Sequence, residues 1–302
     1  QPYSPAAGTG LSSHELNQPG TYKDVKDTSV TVMFKVEKNE KSKFLFDEVQ
    51  NDELFFLAWT TTPWTLPSNL GLTVGEKIDY LLIDTVNPYT ALPIKVILAK
   101  ELVEKYFRIV ELKGKKSESV KYSEISDLLK KDDLTEGEQE ELKKLALSGG
   151  KINHWNKVSE FKGKSLEGLS YEQLMPFEGN TLEKIREITP GATPFKVVVG
   201  DFVTTEDGTG IVHTAPAFGA DDFKIGQKEN LGILTLVDKE GKFVEGVGEF
   251  SGRFIKDYKD DPHYTDVNVD ISVMLKKESR AFKVEKYEHN YPHCWRTDKP
   301  VI

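Results

Sequence analysis

Trp59-Thr60-Thr61-Thr62-Pro63-Trp64-Thr65-Leu66-Pro67-Ser68-Asn69 is the stretch around which the chain is organised. An apolar run from Leu54 leads into it and reads as a buried strand. Two prolines then work against regular structure, because proline lacks an N–H and restricts the residue before it. The expectation is a stiff loop at a strand end, carrying several hydroxyls, an amide and backbone N–H groups in a small volume. Such a loop suits an oxygen-rich ligand. It equally suits hydroxyls that simply bond the local backbone.

Outward from this stretch, Thr28 to Val36 alternates with Val30, Val32, Phe34 and Val36 on one face, which predicts a strand. Ile78 to Ile83, Ile94 to Ala99, Phe195 to Val203, Ile233 to Val237 and Phe282 to Tyr287 read as further strands. Helices are expected at Lys100 to Phe107, at Phe218 to about Asn230, and around Val267, Ile271, Met274 and Leu275. Many short strands with a few helices between them indicate an α+β architecture. Residues 1–27 are rich in turn formers and read as an extended linker. Between about 113 and 164, Lys and Glu dominate. Thr135 with Glu138 suggests a capping box, Leu142, Leu145 and Ala146 a stripe, and Gly149-Gly150 a stop, together a peripheral, solvated helical insertion.

Composition narrows the function. The 302 residues are 38% hydrophobic and 29% charged, as expected of a soluble globular chain. No run approaches the ~18 apolar residues of a membrane span, and no leader pattern opens the chain. A single cysteine, Cys294, excludes an internal disulfide and fits a reducing, cytoplasmic setting. The net charge of −9 argues against free-standing nucleic-acid binding, which draws its affinity from Lys and Arg.

A second block carries chemistry: Gly208-Thr209-Gly210-Ile211-Val212-His213-Thr214-Ala215-Pro216-Ala217-Phe218-Gly219-Ala220-Asp221-Asp222-Phe223. Gly208-Thr209-Gly210 is a turn that allows close backbone approach, and without Gly-Lys-Ser/Thr it is not a phosphate loop. Asp221 and Asp222 stand where a helix begins, favoured there by its dipole. Adjacent helical residues do not face the same way, so only one can enter a pocket. His213, Asp221, Asp222, His263 and His293 have no standard metal-ligand spacing, and there is no His-Glu-x-x-His. No nucleophile elbow is present either.

The two blocks together resemble the editing domain of isoleucyl-tRNA synthetase, and the likeness runs over nearly the whole chain. The Pro63-Trp64-Thr65-Leu66-Pro67-Ser68-Asn69 wording is specific; the valyl and leucyl relatives carry Arg-Pro-Glu-Thr there. The resemblance implies a distorted, mostly antiparallel β-barrel flanked by helices, spanning residues 28–288. It also implies that 1–27 leaves the synthetase's catalytic domain and that 289–302, with Tyr291-Pro292-His293-Cys294-Trp295, re-enters it, so that the domain is an insertion. Thr297 stands where the family can carry a second cysteine, which weakens any zinc-knuckle reading.

The implied activity is hydrolysis of valine from mischarged isoleucine tRNA. A pocket built for isoleucine cannot strongly reject valine, because one methylene is worth only ~1–3 kcal/mol, a limit for which synthetases of this family are the standing example. By resemblance, Asp222 receives the α-ammonium, and Asp221 is a cap or a surface charge. Thr60, Thr61 and Thr62 orient the ester and a water. Trp59, Asn69, Gly210, His213 and Thr214 contact the substrate, His213 as a wall rather than a general base. The implied partners are the valine-bearing tRNA 3′ end and the catalytic domain of the same polypeptide, with no membrane. The domain itself is expected to need no cofactor and no metal. ATP and Mg serve the full-length enzyme, whose His-x-Gly-His and Lys-Met-Ser-Lys-Ser signatures are absent here. The rival readings are a sister synthetase's editing domain, a non-catalytic module that docks the tRNA end, and a metal-dependent hydrolase.

Overall fold

The computed structural model describes residues 1–47, 53–90, 92–107, 110–112, 115–117, 135 and 155–302. Its strands run, in chain order, β1 (Tyr3–Ser4), β2 (Thr9–Gly10), β3 (Tyr22–Lys35), β4 (Leu54–Thr60), β5 (Gly71–Val74), β6 (Asp79–Val86) and β7 (Pro93–Ala99). They continue with β8 (Val110–Leu112), β9 (Lys115–Ser117), β10 (Trp155–Lys162), β11 (Lys196–Val199), β12 (Ile211–Thr214) and β13 (Ala281–Pro292).

Nine of these form one mixed sheet curled into a half-barrel, ordered β10-β6-β7-β4-β12-β5-β11, with β3 beside β4 and β13 beside β3. Antiparallel pairings outnumber parallel ones; the parallel contacts are β4 with β7, β4 with β12 and β5 with β11. The central strand β4 is apolar on both faces, as its near-continuous hydrophobic run requires. Leu54, Phe56 and Ala58 enter the larger core, while Leu57 faces a second core of Leu81, Ile83, Val96, Leu98, Phe107 and Trp155. The helix Val267–Lys277 closes the larger core with Val267, Ile271 and Leu275. Asp266 caps it, its side chain accepting from the Asn268 N–H at 2.9 Å.

Several boundaries differ from the sequence reading. Residues 1–27 are not an extended linker. β3 already begins at Tyr22 and pairs with β13 as far as Pro292, so the sheet reaches beyond the expected 28–288 at both ends. Before β3, the β1–β2 pair and the helix Ser13–Leu16 pack on the last residues of the chain. Leu11, Cys294 and Val301 share a small core, and Tyr3 and Ile302 exchange two backbone hydrogen bonds of 2.8 and 2.9 Å. The turn formers that suggested a linker make these tight connections instead. Most of the charged stretch 113–164, including the expected helix, lies outside the described residues. Its last part is not a peripheral insertion: Trp155–Lys162 is β10, an edge strand paired with β6. Its polar look is that of an edge strand with one face in water.

Ile233 to Val237 is not a strand. Leu234 and Leu236 alternate into the core, but among the described residues the only bridge there joins Val237 to Phe243. The strand expected over Phe195 to Val203 shortens to β11, held between Phe195, at φ 61°, and Gly200, where a Cβ would come within 2.6 Å of Thr73. The segment Lys100–Lys105 is a 3₁₀ helix.

Candidate functional site

The site is made by one strand contact. β4 and β12 lie parallel, with Trp59 opposite Val212, which sets the threonines at the end of β4 beside His213. On its other edge β12 runs antiparallel to β5, matching His213 to Leu72. Immediately after β12 the chain turns through Pro216 and Phe218 into the helix Ala220–Lys228. The two blocks, about 150 residues apart in sequence, therefore close around one cavity of about 430 Å³. Trp59, Thr60, Thr61, Thr62, Gly210, His213 and Asp222 all line it.

Pro63–Ser68 is not an irregular loop but a buried 3₁₀ helix. Pro63 sits at its start, where no N–H is needed, and the short i→i+3 pattern tolerates Pro67. The turn is anchored from below: the Trp64 N–H donates to Asn268 Oδ1 at 3.0 Å, and the Trp64 ring meets Phe218 edge-on at 4.8 Å. Within it the threonines differ. Thr60 Oγ1 accepts from the Thr62 N–H at 3.0 Å, and the Thr62 hydroxyl lies 3.2 Å from Thr60 Oγ1 and 3.4 Å from Thr65 Oγ1. Thr61 is half-buried, and its hydroxyl has no partner among the described residues.

His213 is buried and fully engaged. Asn69 Nδ2 donates to its Nδ1 at 2.8 Å, so the ring proton sits on Nε2 and is donated to Thr65 Oγ1 at 2.9 Å. Thr65 in turn donates to the Thr62 carbonyl at 2.8 Å. Burial pushes the His213 pKa down to about 3, so the ring is neutral at physiological pH. With both nitrogens committed, His213 has no free lone pair with which to take a proton from water.

Asp222 is the opposite case. It occupies the first turn of its helix, and Oδ2 accepts from the Ala215 N–H at 2.8 Å. No cation pairs with it among the described residues. Burial lifts its pKa to about 6, and neighbouring Asp221 adds to the rise. Asp221 itself is exposed and bonds Lys224 at 3.1 Å on the outer face.

Two expected site residues do not reach the cavity. Asn69 is buried behind His213. Thr214 points to the other side of β12, as alternation requires, and its hydroxyl meets Thr73 Oγ1 at 2.6 Å. Gly210 does line the cavity, and its lack of a side chain is needed. Its φ is +72°, and a Cβ there would lie 2.4 Å from that of Ala99. Across Phe202 lies a larger hollow of about 830 Å³, lined by Glu76, Lys77, Asp201 and Lys228 among others. It holds none of the hydroxyl turn. Among the described residues no group of three or more His, Cys, Asp or Glu could hold a metal ion, and no helix is long and apolar enough to cross a membrane.

No family model matches the chain. The isoleucine–tRNA ligase of Cytophaga hutchinsonii is 46% identical over 325 aligned residues, covering 100% of this chain and 25% of that protein. That of Bacteroides fragilis is 43% identical, with the same two coverages. This chain belongs to the isoleucine–tRNA ligase family. It spans about a quarter of the length of the relatives it matches. Among solved structures, GlLeuRS-CP1 superposes with a TM-score of 0.50 at 13% identity, covering 86% of this chain and 100% of that one. The fold is therefore that of a CP1 editing domain.

The cavity is also lined by residues that sequence reasoning did not single out. Thr65 lines the cavity and completes the bonding of His213. Phe202, Thr204, Glu206 and Asp207 form part of the rim, where Asp207 is held by Lys105 at 2.8 Å and by the Tyr287 hydroxyl at 3.0 Å. Thr65 stood inside the quoted motif, and its position between two prolines was a usable signal. The rim residues lie on a loop with no local pattern.

Proposed function

We propose that this domain hydrolyses the ester linking valine to isoleucine-accepting tRNA, releasing valine and free tRNA. One observation supports the reading: a carboxylate with no cation partner among the described residues shares a cavity with a turn of hydroxyls and a neutral histidine. A buried carboxylate is costly unless a counter-charge arrives, and the α-ammonium of an aminoacyl ester is such a charge. Asp222 would hold that ammonium, and Thr61 and its neighbours the terminal ribose and a water. The water oxygen adds to the ester carbonyl carbon. The ribose oxygen then leaves with a proton, giving the amino acid and a free hydroxyl. Backbone N–H groups of the threonine turn would stabilise the charge that develops on the carbonyl oxygen. The ester is intrinsically activated, so positioning supplies much of the rate and no protein nucleophile is required.

The catalytic domain of the same polypeptide, with ATP and Mg, is assigned the ligation reaction. The reading places the full enzyme in the cytoplasm, where charged tRNA is used. A deacylation assay of the full-length synthetase with Val-tRNA and Ile-tRNA, with and without chelator, tests the reading. Release of valine but not isoleucine, unaffected by chelator, is expected. Binding without cleavage would leave a docking module, and loss on chelation would indicate a metal-dependent hydrolase.

A further inference from the structure

Behind the cavity wall runs a line of buried polar side chains that the hydrolysis does not itself need. Tyr171 is 1% exposed, Asn69 4% and His213 7%. The Tyr171 hydroxyl donates to Asn69 Oδ1 at 2.6 Å. Asn69 Nδ2 spends one hydrogen on the Gly71 carbonyl and the other on His213 Nδ1, each at 2.8 Å. His213 passes its Nε2 hydrogen to Thr65, and Thr65 its own to the Thr62 carbonyl. The relay thus joins an isolated bridge of the fold, Val36 with Tyr171, to the turn that lines the cavity.

We propose that Tyr171 is a positioning residue for the cavity wall: through Asn69 it fixes His213 in one orientation and one tautomer, and so sets the size limit of the site. The inference rests on the editing reading for its consequence, not for its geometry. The Tyr171 ring is already accounted for by packing, edge-on to Phe34 at 5.2 Å and near Phe195 at 6.3 Å. A phenylalanine would fill the same space, whereas the hydroxyl must be paired to be tolerated in that core. Its pairing decides how Asn69 lies. With the hydroxyl present, the amide oxygen faces Tyr171 and both amide hydrogens are used. The flipped amide would set its oxygen against the Gly71 carbonyl. Without the hydroxyl, the amide oxygen is buried with no donor, and the reason for a single amide orientation weakens. His213 then loses its fixed partner on Nδ1. Such chains act as a unit, because each bond polarises the next.

Tyr171→Phe in the 302-residue chain, with selective ¹⁵N labelling of histidine, tests this. In the parent, the His213 ring nitrogens should show one tautomer, protonated on Nε2. In Tyr171→Phe the ¹⁵N shifts should move toward a tautomer mixture. The rate of Ile-tRNA deacylation relative to Val-tRNA should rise about fivefold, the scale of one buried hydrogen bond. Asn69→Asp replaces a donor to Nδ1 by an acceptor, and should drive the proton onto Nδ1 altogether. Unchanged ¹⁵N shifts in Tyr171→Phe overturn the proposal. So does an equal fall of both deacylation rates, the mark of a merely structural role. If the parent cleaves neither ester, in this chain and in the full-length enzyme, the editing reading fails, while the ¹⁵N shifts still decide the relay.

Discussion

Two titratable side chains, His213 buried and Asp222 half-buried, face the same cavity and are treated in opposite ways. His213 has every hydrogen-bonding position filled by the protein, and burial holds it neutral. Asp222 has one backbone N–H on one oxygen and no counter-ion among the described residues, and burial makes its charge expensive. The first is complete without a ligand; the second would be completed by the ammonium proposed above. On the proposed reading, the domain keeps a rigid gauge on one side of the cavity and an unmet electrostatic demand on the other. A protein selected for stability alone would not leave the second in place.

The contrast is broken most sharply at Asp222. Truncating one partner of a buried charge pair costs ~2–5 kcal/mol, so Asp222→Ala should slow Val-tRNA deacylation by roughly 30-fold to several-thousand-fold. Asp222→Asn should lose activity comparably, yet gain stability. The folded pKa of Asp222 lies above its unfolded value, so the native state binds more protons between pH ~4 and ~6, and stability falls as pH rises through that window. At neutral pH the whole penalty is present. Removing the charge should return about 1–2 kcal/mol, at ~1.4 kcal/mol per pKa unit and less what Asn loses as an acceptor from Ala215. Urea unfolding at pH 7 of parent and Asp222→Asn checks this. An Asn variant less stable than its parent would mean that the carboxylate is satisfied in a way this contrast denies.

At His213 the loss should be of selectivity. His213→Ala removes the wall and leaves Asp222 and the threonines in place. Discrimination of one methylene is worth ~1–3 kcal/mol, so Ile-tRNA deacylation should rise by about 5- to 150-fold relative to Val-tRNA. If Val-tRNA hydrolysis collapses while Ile-tRNA remains uncleaved, the ring is part of the chemistry and not a gauge.

Much of this pairing was legible from residues 59–69 and 208–223, because each half of the site is local in sequence and ends a strand or begins a helix. What could not be read is how the His213 ring is held. Thr65 and Asn69, Tyr171 and His213 come from three separate places, and Tyr171 carries no local pattern that marks it as polar machinery. Alternation was likewise a guide to burial more than to pairing. Leu234 and Leu236 do point inward, yet their backbone forms no ladder. The first 27 residues read as linker because their partner lies at the far end of the chain. The pairing of Tyr22 with Pro292, the core that Leu11 shares with Cys294 and Val301, and the bonds between Tyr3 and Ile302 show that they belong to the fold. Thr214 was misplaced for a simpler reason: it stands next to His213 on a strand, so the two side chains leave on opposite faces.

The pH dependence of catalysis sharpens the same contrast. Since His213 stays neutral down to about 3, the acid limb must belong to Asp222, which has to be ionised to receive an ammonium. The value of kcat/KM for Val-tRNA should fall about tenfold per unit below pH ~6, while kcat should hold to lower pH, because the bound ammonium favours the carboxylate. Full pH profiles of both parameters would show it. A kcat limb at higher pH than the kcat/KM limb would contradict an ammonium at this position.

The smallest effect separates the threonines, which a sequence reading treats alike. Thr60 and Thr62 are used by the turn itself, whereas the Thr61 hydroxyl lines the cavity without a protein partner among the described residues. Replacing Thr60 by valine strands the Thr62 N–H and should cost about 1–3 kcal/mol of stability. Thr61→Val removes nothing the fold relies on, and its stability should stay within about 0.5 kcal/mol of the parent. Its deacylation of Val-tRNA should nevertheless slow by about five- to tenfold, the scale of one hydrogen bond to substrate or water. Measured side by side, the two variants ask whether the hydroxyl turn divides as the two titratable groups do, into one part already satisfied and one part held open. Equal losses of stability would place Thr61 with the scaffold, and the water would then need another hydroxyl to hold it.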